Sequence, residues 1–278
     1  MISAIGWIGI RLDIRANKDL LIVNALSWRV QDKSILSNLS FSVCPTEFVG
    51  IIGPNGAGKS SLLRCLYGIN IPSEGEIRIA DKNIAAYSRQ ELAQKIAVVL
   101  QEPPSRFELS VQDVIAMGLT PQKSLLSFDN QNDRQNILMA SRQVDLYDKL
   151  NQPFNSLSGG EKQRAMIARA IVQKTNILIM DEPTNHLDIR HQLEVLTLAK
   201  SLGVTVICSM HDLNLAATFC DRLILLDQGE IIAEGGPETV LSEENLNQVF
   251  GIKAKVDTHP FTNKLRITFD LGEQIDVS

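Results

Sequence analysis

The residues with the clearest chemical potential are Gly53 to Ser60, which run Gly-Pro-Asn-Gly-Ala-Gly-Lys-Ser. This segment fits G-x-x-x-x-G-K-[ST], a phosphate-binding loop that follows a strand and opens a helix. Its glycines let successive backbone N–H groups point at phosphate oxygens, and the positive end of the helix dipole faces the same anion. We expect Lys59 to reach the β- and γ-phosphates and the Ser60 hydroxyl to join a magnesium shell. The residues predicted to bind the nucleotide here are Gly53, Pro54, Asn55, Gly56, Ala57, Gly58, Lys59, Ser60 and Ser61.

Two carboxylates follow a second apolar run, at Ile177 to Met180. A buried strand that ends facing the phosphate loop is where a magnesium-bound carboxylate is needed, and Asp181 fits that role. Glu182 is then placed to polarise a water that attacks the γ-phosphate. An apolar strand followed by Asp-Glu is common and by itself only marks where a strand reaches solvent. The phosphate loop upstream is what favours a catalytic interpretation.

Strand-like and helix-like periods alternate along the chain, with glycine and turn residues between them. Continuous apolar runs indicate strands buried on both faces, which favours a mostly parallel sheet covered by helices. The predicted strands are 48–52, 96–100, 177–180, 204–208 and 223–226. The predicted helices include 59–67, with Gly68 as its stop, and predicted hairpins turn at 81–83 and 227–229. The stretch from 102 to about 171 contains no such strand and predicts an inserted helical region.

Composition excludes several classes of protein. Lys and Arg total 27 against 32 Asp and Glu, which gives a formal charge of −5. A protein that binds the nucleic-acid backbone is expected to have a basic face, so this charge disfavours nucleic-acid binding. No apolar run approaches the roughly 20 residues that cross a bilayer. The apolar start at 1–10 lacks the leading basic segment of a targeting signal, so we favour a short N-terminal extension. The four widely spaced cysteines predict buried thiols in a reducing compartment rather than a zinc site.

A third motif, Leu157-Ser158-Gly159-Gly160-Glu161-Lys162-Gln163-Arg164, narrows the interpretation. Ser158 and Glu161 have the spacing of a capping box, which predicts a helix to about Val172. This octapeptide resembles the signature motif of the ATP-binding cassette (ABC) ATPases. The resemblance covers about Leu21 to Gly251. It implies that Ser158, Gly159 and Gly160 contact nucleotide.

Other positions resemble further elements of that family. Gln101 follows a predicted strand and resembles the Q-loop glutamine, which faces magnesium. Asn185 to Asp188 resembles the D-loop, which implies that Asp188 lies at the nucleotide site. His211, in His-Asp-Leu after a predicted strand, resembles the switch histidine that contacts the γ-phosphate. The resemblance thus implies three catalytic residues (Glu182, His211 and Gln101) and three magnesium ligands (Ser60, Gln101 and Asp181). His186, His191 and His259 are expected to be solvated or to serve in packing.

The resemblance also implies a fold class and a domain plan. The fold is α/β, a P-loop NTPase (RecA-like) core with an antiparallel β subdomain and an inserted α-helical subdomain. The predicted plan has an N-terminal extension at 1–20, an ABC ATPase domain at 21–251 with its helical insert at about 102–171, and a short C-terminal β extension at 252–278.

One element departs from the family pattern. Family members usually place an aromatic residue upstream of the phosphate loop, where it stacks on adenine. Here Val30 stands at that position, and Trp28 lies two residues earlier, on the same face of a strand. The sequence leaves the group that stacks on adenine open.

The resemblance implies partners and cofactors. ATP and Mg²⁺ are the expected cofactors. Because one copy of each motif is present, two composite sites require a head-to-tail pair with a second copy of the chain. The expected partners are transmembrane permease subunits and, indirectly, a periplasmic or lipid-anchored substrate-binding protein, with no nucleic acid. The expected location is the cytoplasmic face of the inner membrane, reached through the permease.

The sequences of several segments resemble those of the ATPase subunits of importers for iron–siderophore complexes, haem and vitamin B12. The segments are 181–188, 211–216, 220–222 and 111–121, although Gly118-Leu119-Thr120-Pro121-Gln122 stands where this branch often has Gly-Arg-x-Pro-His. An iron chelate (siderophore) is the leading cargo, and haem and vitamin B12 remain alternatives. Cassette ATPases of translation or DNA repair fit less well, because the chain has neither a second cassette nor a sustained heptad run. A regulatory module that binds nucleotide without hydrolysis is disfavoured by Glu182.

Overall fold

The computed structural model describes residues 20–100, 109–123 and 131–270. The proposed N-terminal extension, apart from its last residue, therefore lies outside the described residues, as do Gln101 and the last eight residues. The described strands, in chain order, are β1 (Leu21–Val30), β2 (Lys33–Val43), β3 (Phe48–Ile52), β4 (Glu74–Ile79), β5 (Lys82–Asn83), β6 (Ile96–Val99), β7 (Ile177–Asp181), β8 (Thr205–Ser209), β9 (Arg222–Asp227), β10 (Glu230–Gly235), β11 (Lys253–Thr258) and β12 (Leu265–Asp270).

The described α-helices are α1 (Lys59–Leu66), α2 (Arg89–Ala93), α3 (Val111–Ala116), α4 (Gln131–Gln143), α5 (Gly159–Gln173), α6 (Ile189–Ser201), α7 (Leu213–Phe219), α8 (Pro237–Val240) and α9 (Glu243–Phe250). Short 3₁₀ segments lie at Ile84–Ala86, Met117–Gln122, Tyr147–Lys149 and Phe154–Ser156. None of the helices described is long and apolar enough to cross a membrane.

A six-stranded sheet forms the centre, in the order β10-β9-β3-β8-β7-β6. All of its strand pairs are parallel except the one between β10 and β9. Strands β3, β7 and β8 are buried along their whole length, which confirms the two-sided burial that their apolar runs predict. The predicted strand bounds hold to within about one residue at most ends.

Alternate residues of these strands enter two different cores. On one face, residues such as Ile51, Ile179 and Ile207 pack with α1 and the second sheet. On the other face, residues such as Met180 and Cys208 pack with α3 to α7. Because side chains alternate between the two faces of the strands, one sheet contributes to two hydrophobic cores.

The second sheet is antiparallel, in the order β2-β1-β4-β5. Together with the parallel sheet and its helices, it confirms the predicted fold class. Both predicted hairpins form, and β9 turns into β10 at Gln228 and Gly229. The first hairpin turns at Ala80 and Asp81 rather than at 81–83, because Lys82 and Asn83 already pair with β4 as β5. Helix α1 ends at Leu66, and Gly68 follows in a left-handed conformation (φ 76°), as the sequence predicts.

Between β6 and β7 the described regular elements are helices and 3₁₀ segments, apart from one antiparallel bridge between Ser110 and Pro153. Helix α5 packs against both α3 and α4. After α9, β11 and β12 form a hairpin. The Asn214 side chain on α7 holds this hairpin through two hydrogen bonds to the backbone of Ile267 (2.8 and 3.1 Å). The prediction of buried cysteines holds for Cys65, Cys208 and Cys220, but it is wrong for Cys44, which is exposed at the end of the second sheet.

Candidate functional site

The phosphate loop lies between β3 and α1, and its glycines are required by close contacts or by positive φ angles. A side chain at Gly53 would place its Cβ 2.1 Å from the carbonyl oxygen of Leu226. Gly56 and Gly58 adopt φ values of 83° and 104°, a region that other residues rarely enter. The loop therefore holds a tight curl at the amino end of α1, which is the arrangement that phosphates favour.

Lys59 is buried, with 5% of its surface exposed. Its ammonium donates to the carbonyl oxygens of Gly53 (2.8 Å) and Pro54 (3.0 Å). Burial lowers the pKa of Lys59, and the carboxylates of Glu182 and Asp181 oppose that shift. An ammonium has three donors, and the described residues accept two of them, which leaves one for an anion bound at the loop.

Asp181 ends β7 and is buried beside the first turn of α1. The Ser60 hydroxyl donates to its Oδ1 (3.0 Å), and the Ser209 hydroxyl donates to the same oxygen (2.8 Å). The structure thus brings Ser60 and Asp181 together, as their predicted roles require. Ser61, the next residue of α1, is half-buried.

Glu182 turns the chain away from β7 with a φ of 48°. Its backbone N–H donates to Ser209 Oγ (2.8 Å). Its carboxylate accepts from Asn185 Nδ2 and contacts His211 Nε2. The Glu182 side chain is 15% exposed and that of His211 is 37% exposed, so the pair lies at the rim of the site.

Sequence reasoning missed two of these contacts. Ser209 was not singled out, although it is a polar residue in a buried strand two positions before His211. Asn185 was noted only as part of the D-loop resemblance, and its contact with the Glu182 carboxylate was not foreseen. The available signal for Ser209 was its place directly after the predicted strand 204–208 and two residues before His211.

The signature residues begin α5 and form the predicted capping box. Ser158 Oγ accepts from the Glu161 N–H (3.4 Å), and Glu161 Oε2 accepts from the Ser158 N–H (2.9 Å). Hydrogen bonds from Lys149 and from the Ser158 backbone lower the pKa of Glu161 to about 2. Ser158 and Gly159 are exposed, whereas Gly160 is buried.

Asp188 caps α6. It contacts His191, whose ring in turn lies against the signature residue Gly160. Asp188 Oδ1 accepts from the His191 N–H (2.9 Å), and the His191 Nδ1 lies 2.8 Å from both carboxylate oxygens. The backbone hydrogen bond and the ring contact lower the pKa of Asp188. On its other side, the His191 ring leaves no room for a Cβ at Gly160, which would lie 2.6 Å from Cδ2. His191 therefore serves in packing, as expected.

The predicted residues fall into two groups. Lys59, Ser60, Asp181, Glu182 and His211 converge where the phosphate loop meets the carboxyl ends of the parallel strands. Ser158, Gly159, Gly160 and Asp188 form a second group around the start of α5 and α6. In the part of the chain that the structure describes, no hydrogen bond or ion pair joins the second group to the first.

The first group suits a magnesium ion. A serine hydroxyl and a buried carboxylate lie within 3.0 Å of each other, and oxygen ligands are those that this hard cation prefers. Over residues 20–100, 109–123 and 131–270, no cluster of three or more His, Cys, Asp or Glu side chains could hold a metal by itself. A magnesium ion here needs phosphate oxygens and water as its other ligands, which is its usual coordination with nucleotides.

The residues near the expected adenine position differ in burial. Val30 ends β1 and is 46% exposed. Trp28 is half-buried and packs against the core between the second sheet and α1. This placement supports a packing role for Trp28.

Comparisons with known proteins identify the family of the chain. The family model for ABC transporters matches residues 36–185. The hemin import ATP-binding protein HmuV of Hahella chejuensis is 36% identical over 249 residues, which cover 86% of this chain and 95% of that protein. The petrobactin import ATP-binding protein FpuC of Bacillus anthracis is 36% identical over 256 residues, covering 90% and 94%.

A solved structure described as an inward-facing conformation of a metal-chelate type ABC transporter superposes with a TM-score of 0.80. It is 28% identical, and the match covers 91% of this chain and 97% of that one. The family model and the two sequence relatives span most of the chain, and the superposition shows the same fold. The chain therefore belongs to the ABC transporter family and is one of its ATP-hydrolysing cassettes.

Proposed function

We propose that this chain hydrolyses ATP at the junction of the phosphate loop and β7 and thereby drives import of an iron chelate through a partner permease. The observation that carries the hydrolytic part is the continuous set of contacts from Ser60 through Asp181, Ser209 and Glu182 to His211. These contacts place a hydroxyl, two carboxylates and an imidazole beside an anion-binding loop.

Each residue has a distinct role in this proposal. The loop amides and Lys59 bind the phosphates. The Glu182 carboxylate first gives up its contact with His211 or Asn185 and forms one with the attacking water. It then accepts a proton from that water. His211 then becomes free to donate a hydrogen bond to the γ-phosphate.

Mg²⁺ belongs to the same proposal, with Ser60 and Asp181 as ligands and Gln101 as a further one from outside the described residues. When bound, the ion neutralises the charge that develops on the β- and γ-phosphate oxygens. The close approach of Ser60 and Asp181 supports this assignment.

A second copy of the chain completes the site. Ser158 and Gly159 are exposed at the start of a 15-residue helix, so they are available to an anion held by another molecule. A head-to-tail pair brings these residues and Asp188 to the phosphates held by the partner's loop. This arrangement explains why the two groups of site residues are not joined within one chain.

The transport role rests on the relatives. One is named for hemin import and another for petrobactin import, and the structural neighbour is of the metal-chelate type. The two sequence relatives are named for iron chelates, so we propose an iron chelate as cargo, with a siderophore first. Haem and vitamin B12, which is a cobalt complex, are the alternatives. The chain would then act at the cytoplasmic face of the inner membrane, bound to permease subunits that receive cargo from a periplasmic or lipid-anchored binding protein.

The test is reconstitution of the chain with a candidate permease, sought among the membrane proteins encoded by neighbouring genes. We expect the two to purify as a complex and ATP hydrolysis to rise when a cargo-loaded binding protein is added. Vesicles should then take up one of three probes in an ATP-dependent manner: a ferric siderophore, hemin or cobalamin. Uptake of cobalamin alone would overturn the iron-chelate assignment, and a complex that takes up none of the three would overturn the proposed import of these cargoes.

A further inference from the structure

We infer that Ser209 is a positioning residue for ATP hydrolysis, because its hydroxyl fixes both the Asp181 carboxylate and the backbone at Glu182. This inference rests on the proposed roles of those two residues. Among the described residues, the Ser209 hydroxyl forms its hydrogen bonds with Asp181 and Glu182 and none with the phosphate loop or Lys59, so we assign its effect to those two residues.

The environment of Ser209 makes its hydroxyl unusual. Strand β8 lies between β3 and β7 in the middle of the sheet, and every one of its residues is buried. Ser209 itself has no exposed surface. A hydroxyl is costly to bury unless it is hydrogen-bonded, and here it both accepts and donates a bond at 2.8 Å.

Strand register explains why the hydroxyl reaches Glu182. Asp181 and Ser209 are partners in the parallel pairing of β7 with β8, and that pairing ends with them. Glu182 then leaves the strand with a left-handed φ of 48°, a conformation that is strained for a residue with a side chain. The hydroxyl oxygen of Ser209 accepts a hydrogen bond from the Glu182 N–H where the pairing of β7 with β8 ends, and this bond stabilises the turn.

The same contact decides how Asp181 is oriented. Because Ser209 Oγ accepts from Glu182, its own hydrogen must point at Asp181 Oδ1, where the Ser60 hydroxyl also donates. Two donors on one oxygen fix the rotation of the carboxylate. No described residue hydrogen-bonds to Oδ2, so that oxygen remains available to a cation or to water.

The chain offers a matched control at the other end of the same strand. Thr205 is also buried, and its Oγ1 accepts from the Thr46 N–H (2.8 Å) and donates to the Cys44 carbonyl oxygen (3.2 Å). Replacing Thr205 by Ala therefore removes a comparable pair of hydrogen bonds from β8, far along the strand from the carboxylates.

The experiment compares Ser209→Ala, Ser209→Thr and Thr205→Ala in the full chain. For Ser209→Ala we expect kcat to fall about tenfold while KM for ATP changes less than about twofold, since a small misplacement of reacting groups has effects of this size. The magnesium concentration for half-maximal activity should rise about threefold. Ser209→Thr, which keeps the hydroxyl, should restore most of the activity.

A readout independent of turnover is amide hydrogen exchange at Glu182, followed by NMR in the nucleotide-free chain. We expect exchange at this amide to become at least about tenfold faster in Ser209→Ala and to stay unchanged in Thr205→Ala. Equal kcat, magnesium dependence and Glu182 exchange in the two alanine variants would overturn the inference. If Glu182→Gln hydrolyses ATP normally, the proposed function fails; if that variant is inactive while Ser209→Ala is normal, only this inference fails.

Discussion

The phosphate-facing group and the signature group are held in place in different ways. Asp181 is buried, and its partners Ser60 and Ser209 lie 121 and 28 residues away in sequence. Lys59 is buried against the carbonyl oxygens of the loop that precedes it. Ser158 and Asp188 are exposed and are fixed by capping bonds to residues three positions away. The position of Asp181 in the first group depends on the tertiary fold, whereas Ser158 and Asp188 in the second group are set by local helix starts.

This difference teaches how one chain can carry half of each of two sites. A group built from tertiary contacts is rigid before any ligand arrives, which suits phosphate and magnesium binding. A group of capped, exposed helix starts can meet a second molecule without disturbing the core. Changes in the first group should therefore remove nucleotide chemistry outright, and changes in the second should act mainly on pairing and turnover.

The largest effect is expected from Lys59→Ala. Removing the buried ammonium deletes the cation that faces the phosphates, so nucleotide affinity should fall about a hundredfold or more. The measurement is the rise in melting temperature with added ATP, which the wild type should show and the variant should lose. Lys174→Ala, at the exposed end of α5, is the control. An undiminished ATP-dependent rise in Lys59→Ala would refute the assignment of the loop.

Gly160→Ala is expected to have the next largest effect. The added Cβ would meet the His191 ring at 2.6 Å and displace the start of α5 from α6. We expect turnover to fall about tenfold with ATP binding to the isolated chain retained. Gly236→Ala, at an ordinary φ of −61° before α8, should change little.

The combination of Gly160→Ala with His191→Ala separates crowding from other causes. If the ring is the obstacle, the double variant should recover part of the lost turnover, measured as phosphate release. No recovery at all would mean that the glycine is needed for contact with nucleotide rather than for space within the chain.

Trp28→Ala should lower stability and leave ATP affinity almost unchanged. The half-buried indole packs on the core, so its loss should cost about 2 kcal/mol of unfolding free energy. Val30→Ala, at an exposed position, is the comparison and should cost less. Denaturant unfolding and ATP titration measure the two effects. A tenfold loss of ATP affinity in Trp28→Ala would instead show that the indole stacks on adenine.

Glu161→Gln is expected to have the smallest effect, and it depends on pH. Because the folded chain holds the pKa of Glu161 at about 2, below its ordinary value of 4.5, the ionised carboxylate stabilises the fold above about pH 4.5. That contribution should shrink as pH falls towards 2. We expect the wild type to exceed the variant by about 1 kcal/mol at pH 7 and by less at pH 3, in urea unfolding.

A matched control for Glu161 is Glu91, which closes an equivalent capping box with Ser88 but is exposed on α2. Glu91→Gln should change stability less than Glu161→Gln at pH 7. A Glu161→Gln effect that is constant from pH 7 to pH 3 would contradict the role given to its ionised form.

Much of the fold could be predicted from the sequence because its signals are local. Apolar runs indicated the buried strands, and Ser158 with Glu161 predicted the start of α5. The contacts of Ser209 and the pairing of Gly160 with His191 could not be predicted, because each depends on which strands or helices become neighbours. Local periodicity carries no information about such long-range register. The exposure of Cys44 was also missed. It follows the last residue of β2, at the edge of the second sheet, and the sequence does not show which strand ends the rest of the chain covers.

The most direct test of the account is Glu182→Gln, followed by ATP turnover and by light scattering with and without MgATP. We predict turnover below about one hundredth of the wild-type rate, ATP binding retained, and an ATP-dependent species of twice the 30.7 kDa subunit mass. That result would place the base on Glu182 and the second half of the site on another copy of the chain. Wild-type turnover in this variant, or ATP binding with no change in mass, would contradict the central claim.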